Sequence, residues 1–291
     1  MAAVLDALVT LLTLEPTEEN VFRGQAQDLG WGRLYGGHVL GQALSAASQT
    51  TPADRHAHSV HAYFLRPGDV TTPIYYGVDR PRDGQSFTTR RVLARQGDHV
   101  ILNLAVSYQI DEPGFDHQDV VPAAPPPESL LPEHERVKAY ASRLPAFLAE
   151  RLSAEQPFDV RTTRALDDPF HPKIAEPHSM VWFRTVDKVP DGHALHQSLL
   201  AYASDSNFLT ASLLPHGVNW LTPGMQLASL DHVMWFHRPF RIDDWLLHVV
   251  ESPSAFGARA LVRGRVFDRA GRLVASTAQE ALVRQRTRGA S

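Results

Sequence analysis

The sequence predicts an α+β protein built from two similar units, each with one helix packed on antiparallel strands. One observation is an internal duplication: the pattern aromatic-Phe-x-Arg-Pro occurs at residues 63–67 and again at 235–239. The other is that several strand-like segments follow each copy, with no sign of the strand and helix alternation of a doubly wound α/β fold. We therefore expect two sheets that each wrap one helix and pair edge to edge.

Each unit is predicted to have one helix ahead of its strands. In the first, Gly36-Gly37 precedes small and apolar residues at helical spacing over positions 39–47. In the second, His196 to Leu214 shows the same spacing, which predicts a helix through that segment. The following strands are predicted at residues 74–78, 86–95 and 100–109 in the first unit and at 245–251, 258–267 and 273–283 in the second.

A proline-rich segment separates the two units. Proline at the density found in residues 111–133 blocks both helices and sheet ladders, so we expect an extended linker. A short helical stretch is predicted after it, from Val137 to Leu152. The expected division is therefore a first unit of residues 1–112, a connection of residues 113–156 and a second unit of residues 157–291.

Composition narrows the possible functions. Of the 291 residues, 43% are hydrophobic and 21% charged, which is typical of a folded, soluble protein. The 28 Lys and Arg against 32 Asp and Glu give a net charge of −4, so nucleic acid is not an expected partner. The absence of cysteine excludes disulfides, thiolate metal sites and cysteine nucleophiles.

The sequence gives no indication of a membrane or of export. No segment approaches the roughly 18 uninterrupted apolar residues of a membrane span. The apolar stretch from Met1 to Leu14 lacks the basic start of a signal peptide and is expected to be a helix of the domain. We therefore expect a cytoplasmic protein that has no membrane partner.

Common catalytic and cofactor motifs are incomplete in this chain. The glycines at 30, 32 and 36 miss the dinucleotide spacing by one place and are expected to form a turn into the first helix. Gly84-Gln85-Ser86 lacks the second glycine of a serine-hydrolase elbow. His56, His58 and His61 lack the pattern of a metal site and are expected to be ordinary structural or solvated histidines. We expect no cofactor and no metal.

Three polar residues stand in segments that otherwise have the pattern of a core. Asp205 lies within the second predicted helix, Ser229 in a strand candidate, and Gln279 in the last predicted strand. An unpaired carboxylate in such a place is costly, which makes Asp205 a candidate functional residue. Each residue alone is also consistent with a polar position on an exposed face or a helix cap.

Several segments together resemble the type II, TesB-like acyl-CoA thioesterases, and the resemblance covers roughly residues 11–284. The segments that carry it are residues 22–25, 36–43, 63–69, 83–87, 202–205, 231–240 and 275–280. The resemblance implies a double hotdog, in which two curved antiparallel sheets each wrap a central helix. It also implies that Asp205 and Gln279 are catalytic. The family usually has threonine at the third catalytic position, where this chain has Ser229, which keeps the hydroxyl but lacks the methyl group.

The residue types suit thioester hydrolysis. Asp205 would act as general base on a water molecule, while Ser229 and Gln279 would orient that water. The implied partner is acyl-CoA, and exposed sheet edges together with the resemblance favour a homo-oligomer. Arginines that could contact the phosphates of coenzyme A are Arg66, Arg90, Arg91 and Arg238.

Two other functions stay open on the sequence. A hydratase or dehydratase could use the same fold, although the chain has no Asp-x-Asn-Pro-x-His segment of the kind that chemistry uses. A module that binds acyl-CoA without turnover is the second alternative, and the presence of Asp205, Ser229 and Gln279 argues against it. The preferred acyl length is not encoded in any local motif.

Overall fold

One continuous antiparallel sheet organises the computed structural model, which describes residues 1–165 and 167–286. The elements of the first half, in chain order, are α1 (Ala3–Leu12), β1 (Glu15–Glu18), β2 (Val21–Gly24), α2 (Gly36–Gln49), β3 (Arg55–Phe64), β4 (Ile74–Asp83), β5 (Phe87–Gln96) and β6 (His99–Ile110). Two short helices, α3 (Glu133–Lys138) and α4 (Ala146–Ser153), lie in the connection.

The second half repeats the helix and strands of the first with local changes. Its elements are β7 (Phe158–Thr162), β8 (His178–Thr185), α5 (His193–Ser204), α6 (Thr210–Leu213), β9 (Met225–Ser229), β10 (Asp231–Phe236), β11 (Leu246–Phe256), β12 (Arg259–Asp268) and β13 (Leu273–Gln285). The strand order is β1-β2-β4-β5-β6-β3-β10-β13-β12-β11-β8-β7, with β9 also paired to β13. This architecture confirms the predicted α+β fold with sheets paired edge to edge.

The two halves meet at β3 and β10, which pair antiparallel from Asp231 opposite Tyr63 to Trp235 opposite Ser59. Both copies of the duplicated aromatic-Phe-x-Arg-Pro pattern begin in these two strands. Each copy leaves its strand in the same way, because the backbone N–H of Leu65 donates to Ile101 and that of His237 donates to Val274. The sequence duplication is therefore also a duplication of backbone geometry.

The central helices α2 and α5 pack directly on one another. A Cβ atom added to Gly37 would lie 2.2 Å from the carbonyl oxygen of Tyr202, and one added to Gly41 would lie 3.0 Å from that of Ser198. Larger residues at these positions would separate the helices. Small residues in α2, expected from the sequence to allow close packing, are buried in the shared core at Ala43, Ala46 and Ala47.

Two predicted helices are interrupted in the structure. The segment from His196 to Leu214 is not one helix, because α5 ends at Ser204 and Asn207 adopts a left-handed backbone conformation (φ 57°) before α6 begins. The stretch from Val137 to Leu152 is divided between α3, a 3₁₀ turn and α4, and Pro145 immediately precedes α4. In both places helical spacing of apolar residues continues through a turn.

Arg90 is fully buried, which contradicts its expected role as a phosphate contact. Its guanidinium donates to Asp83 Oδ1 at 2.6 Å, to both the hydroxyl and the carbonyl oxygen of Thr50, and to the carbonyl oxygens of Arg82 and Thr89. These bonds hold the end of α2 against β4 and β5. The hydrogen bond from Arg90 also lowers the pKa of Asp83.

Replacing Arg90 should destabilise the fold strongly. Removing one partner of a buried charged network typically costs about 3 kcal/mol or more, so Arg90→Leu should lower the free energy of unfolding by about that amount. Arg91→Leu is the matched control, because Arg91 is the next residue on β5 and its ion pair with Asp79 is exposed. That control should cost less than about 1 kcal/mol. If urea unfolding shows that both variants lose the same free energy of unfolding, this account of Arg90 is contradicted.

Candidate active site

Asp205 is placed by the end of one central helix and the start of the other. It caps the C-terminus of α5, and its Oδ2 accepts a hydrogen bond from the backbone N–H of Gly37 at 3.0 Å. Gly37 lies in the first turn of α2, where N–H groups have no partner within the helix and the helix dipole favours an anion. A Cβ on Gly36 would lie 2.6 Å from the same carboxylate oxygen. The carboxylate is therefore held between the two halves.

The structure brings Ser229 and Gln279 to this carboxylate. Ser229 Oγ donates to Asp205 Oδ1 at 3.1 Å, and Gln279 Nε2 donates to the same oxygen at 3.1 Å. Gln279 Nε2 also donates to Ser229 Oγ. The carboxylate, the hydroxyl and the amide thus lie within hydrogen-bond distance of one another, as the sequence interpretation requires, and one small molecule could contact all three.

The strand pairing along one edge of β13 is interrupted next to these three side chains. β9 pairs with β13 up to Ser229 opposite Ala281, while β10 resumes the pairing at Val233 opposite Ala278. Between them, Leu230 N–H donates to the carbonyl oxygen of Glu280. Gln279 lies opposite this break, where regular pairing is absent. Irregular pairing of this kind often turns side chains toward a site.

Two further residues form a buried chain of hydrogen bonds behind Gln279. His232 Nδ1 lies 2.8 Å from Gln279 Oε1, and its Nε2 lies 2.9 Å from Ser204 Oγ. Burial lowers the pKa of His232, so the ring is neutral at neutral pH. His232 lies in one of the segments that carry the family resemblance, but the sequence alone indicates no role for it. The available signal was a histidine in a strand whose other inward positions are apolar.

A large cavity extends from the helix end that carries Asp205. It encloses about 840 Å³ and is lined by Ala203 and Ser206, which flank Asp205 in sequence, although the three candidate catalytic side chains do not themselves line it. The connection between the two halves closes one side through α3, α4 and the residues that follow. The apolar and aromatic part of the wall includes Phe158, Val160, Val181, Phe183, Tyr202, Phe208 and Val250.

Two exposed tryptophans lie at another part of the cavity wall. Trp31 and Trp220 pack edge to face with ring centroids 5.9 Å apart, and Arg151 lies over Trp31 at 4.7 Å. Trp31 follows Gly30 in the glycine-rich segment, which has no regular secondary structure before α2 begins. That segment forms the entry to α2, as the sequence predicted, and also contributes to the cavity.

Other candidate residues have structural contacts. Arg66 donates to the carbonyl oxygen of Val100, and Arg238 donates to that of Leu273 while pairing with Asp116. His58 bonds Ser107, and His61 packs edge to face on Trp235. Across residues 1–165 and 167–286, no group of three metal-binding side chains is found. No helix in the same residues is long and apolar enough to cross a membrane.

Comparison with known proteins agrees with the fold. Residues 148–282 match the family model described as acyl-CoA thioesterase, and residues 26–109 match that of the acyl-CoA thioesterase N-terminal domain. Acyl-CoA thioesterase 2 of Haemophilus influenzae is 42% identical over 284 residues, which cover 98% of this chain and 99% of that protein. Human acyl-coenzyme A thioesterase 8 is 38% identical over 95% of this chain and 88% of its own length.

A solved structure gives the same result. The crystal structure of an acyl-CoA thioesterase II, TesB2, from Mycobacterium marinum is 40% identical, with a TM-score of 0.78, and the match covers 98% of this chain and 99% of that one. The fold and the matches define a thioester hydrolase built as a double hotdog. The chain belongs to the type II, TesB-like acyl-CoA thioesterase family.

Buried histidines should make the fold sensitive to mild acid. Burial lowers the pKa of His248 to about 3 and that of His38 to about 4, from an ordinary value of about 6.5. Between pH 6.5 and these values the unfolded chain binds more protons than the native protein, so stability falls as pH falls. We expect the melting temperature to decrease from pH 7 to pH 5.

A variant identifies the source of that decrease. His248→Asn should show a shallower decrease in melting temperature over the same range, because one buried group that must stay neutral has been removed. His178→Asn is the control, since His178 is exposed on β8 and its removal should leave the slope unchanged. An identical slope in all three proteins, measured by scanning calorimetry, would show that His248 does not contribute.

Proposed function

We propose that this thioesterase hydrolyses acyl-CoA to a free fatty acid and CoA with a water molecule activated by Asp205 and oriented by Ser229 and Gln279. The observation that carries the proposal is the mutual contact of the three polar groups at the junction of α5, β9 and β13. A general base must lie within hydrogen-bond distance of the proton that it removes. A water molecule bound among these groups would meet that condition.

The proposed reaction needs no covalent enzyme intermediate. Asp205 takes a proton from water as the oxygen attacks the thioester carbonyl carbon, and the carbonyl electrons move to its oxygen. The intermediate then collapses, the C–S bond breaks, and the CoA sulfur receives the proton from Asp205. Gln279 offers amide N–H groups that can stabilise the oxyanion in a partly buried site. Ser229 supplies the hydroxyl for which the family usually has threonine.

The acyl chain would occupy the apolar part of the 840 Å³ cavity. The cavity reaches Ala203 and Ser206, which are close to Asp205 in sequence, so an acyl chain lying in it would start near the reacting carbonyl. Its wall beyond that point is aromatic and aliphatic, and burial of apolar chain is favourable by about 0.8 kcal/mol per methylene group. Binding there would fix the thioester beside the three polar groups.

The contacts of His232 favour hydrolysis over the hydratase alternative. A hydratase on this fold needs a histidine free to exchange a proton with the acyl chain, whereas both ring nitrogens of His232 are engaged and the ring lies behind Gln279. Incubation with a saturated acyl-CoA separates the functions, because only hydrolysis releases free CoA thiol. Binding without thiol release would instead support a non-catalytic module.

The general-base role of Asp205 can be tested by Asp205→Asn, which keeps the shape of the side chain. We expect kcat to fall by about 10² to 10⁴ with a smaller change in KM. Ser229→Thr should retain most of the activity, since the hydroxyl is preserved, while Ser229→Ala should be slower. Wild-type turnover by Asp205→Asn in a thiol-release assay would remove Asp205 from the mechanism.

The position of the acyl chain can be tested by filling the cavity from β8. Val181→Trp should exclude two or three methylene groups, which corresponds to a loss of roughly 10- to 50-fold in kcat/KM for long acyl chains. Short chains should lose less than about 3-fold on the same reasoning. Met180→Leu, a change at the neighbouring position of β8, is the control. A uniform loss across chain lengths would contradict this placement.

A further inference from the structure

We propose that His232 is a positioning residue, which holds the Gln279 amide in the one orientation that presents its N–H groups to Asp205 and Ser229. The inference rests on the proposed function, because it concerns the group that orients the water. His232 itself is fully buried and does not reach the carboxylate through a hydrogen bond of its own. It acts on the site only through Gln279.

Hydrogen-bond donors and acceptors allow one consistent arrangement. The Asp205 carboxylate only accepts, so the amide NH₂ of Gln279 must face it and Oε1 must face His232. Oε1 also only accepts, so Nδ1 of His232 carries the ring proton. Because burial keeps the ring neutral, Nε2 has no proton and can only accept; the donor within reach is Ser204 Oγ, which also lies within hydrogen-bond distance of the Ala201 carbonyl oxygen. Each member of the chain therefore fixes the next.

Without this chain the amide would lose its preferred orientation. A Gln279 side chain turned by 180° would direct its carbonyl oxygen at the Asp205 carboxylate and withdraw both N–H donors from the site. With its proton on Nδ1, His232 disfavours that state, since an NH₂ group facing this N–H would leave two donors opposed. The neutral histidine thus selects the productive orientation before substrate binds.

The first half of the chain provides an internal comparison. Its β3 and β6 pair in the same register as β10 and β13, with Phe64 opposite Leu102 where the second half has Phe236 opposite Ala275. Extending both registers by four residues aligns Val60 with His232 and Val106 with Gln279. Val60 pairs with Val106, and both are buried in the core. The strand pair without a catalytic amide therefore also lacks the histidine.

The test is His232→Val, which introduces the residue of the first half. We expect kcat to fall about 10- to 100-fold with KM changed less than about 3-fold, because misorientation of one catalytic group has effects of that size. His232→Asn should recover much of the loss, since its amide can still donate to Gln279 Oε1. His196→Asn is the control, a buried histidine on α5 that bonds Ile242 and does not contact the site.

A double-mutant cycle separates positioning from general stability. If His232 acts through Gln279, adding His232→Val to Gln279→Ala should reduce kcat by less than about 2-fold further. Additive losses would overturn the proposal, as would wild-type kcat in His232→Val. Should His232→Val fail to fold, the cycle is built with His232→Ala instead. The double variant His232→Val/Gln279→Val would still reproduce the packed valines of the first half.

The same measurements distinguish this inference from the proposed function. If Asp205→Asn retains wild-type kcat, the proposed mechanism fails. If Asp205→Asn is slow and His232→Val is not, only the positioning role fails. Nitrogen NMR of the histidine rings gives a readout without turnover, and His232 should appear as the neutral Nδ1–H form at neutral pH. A protonated ring or the Nε2–H form would overturn the proposal.

Discussion

The close contact between α2 and α5 is the constraint on which the rest of the site depends. Glycine at position 37 lets the first turn of α2 reach the end of α5, so its N–H can bind a carboxylate that belongs to the other half. Glycine at position 36 leaves room for that carboxylate. The proposed catalytic side chains come from the second half, but the backbone donor comes from the first, and neither half contains the complete arrangement.

Polar side chains can enter this buried sheet because their hydrogen bonds are satisfied there. An unpaired buried polar group costs about 1–3 kcal/mol, so a lone glutamine in the place of Val106 would destabilise the fold. Gln279 avoids this cost through Asp205, Ser229 and His232. The break between β9 and β10 supplies the space and the irregular geometry that such a network needs, at the one edge of β13 where the site lies.

The fold was largely predictable because duplication and strand alternation survive in the sequence, and the resemblance pointed to Asp205, Ser229 and Gln279, which the structure brings together. Apolar spacing did not reveal the turn after Ser204, since Phe208 and Leu213 continue the helical pattern across it. Nor did it show that Arg90 is buried, because strand alternation does not specify which polar residue finds internal partners. The division at residues 112 and 157, assembly with further copies and a cytoplasmic location stay predictions.

The two halves show how one backbone register supports either a packed core or a site. Val60 and Val106 gain stability from burial alone and place no demand on their neighbours. His232 and Gln279, at the matching positions, require an ordered set of partners, from Ser204 at one end to the Asp205 carboxylate at the other. The Asp205 carboxylate in turn accepts from the Gly37 N–H in the first turn of α2, so the helix contact holds the group to which Gln279 is bonded. The polar strand pair is therefore joined to the helix contact through Asp205.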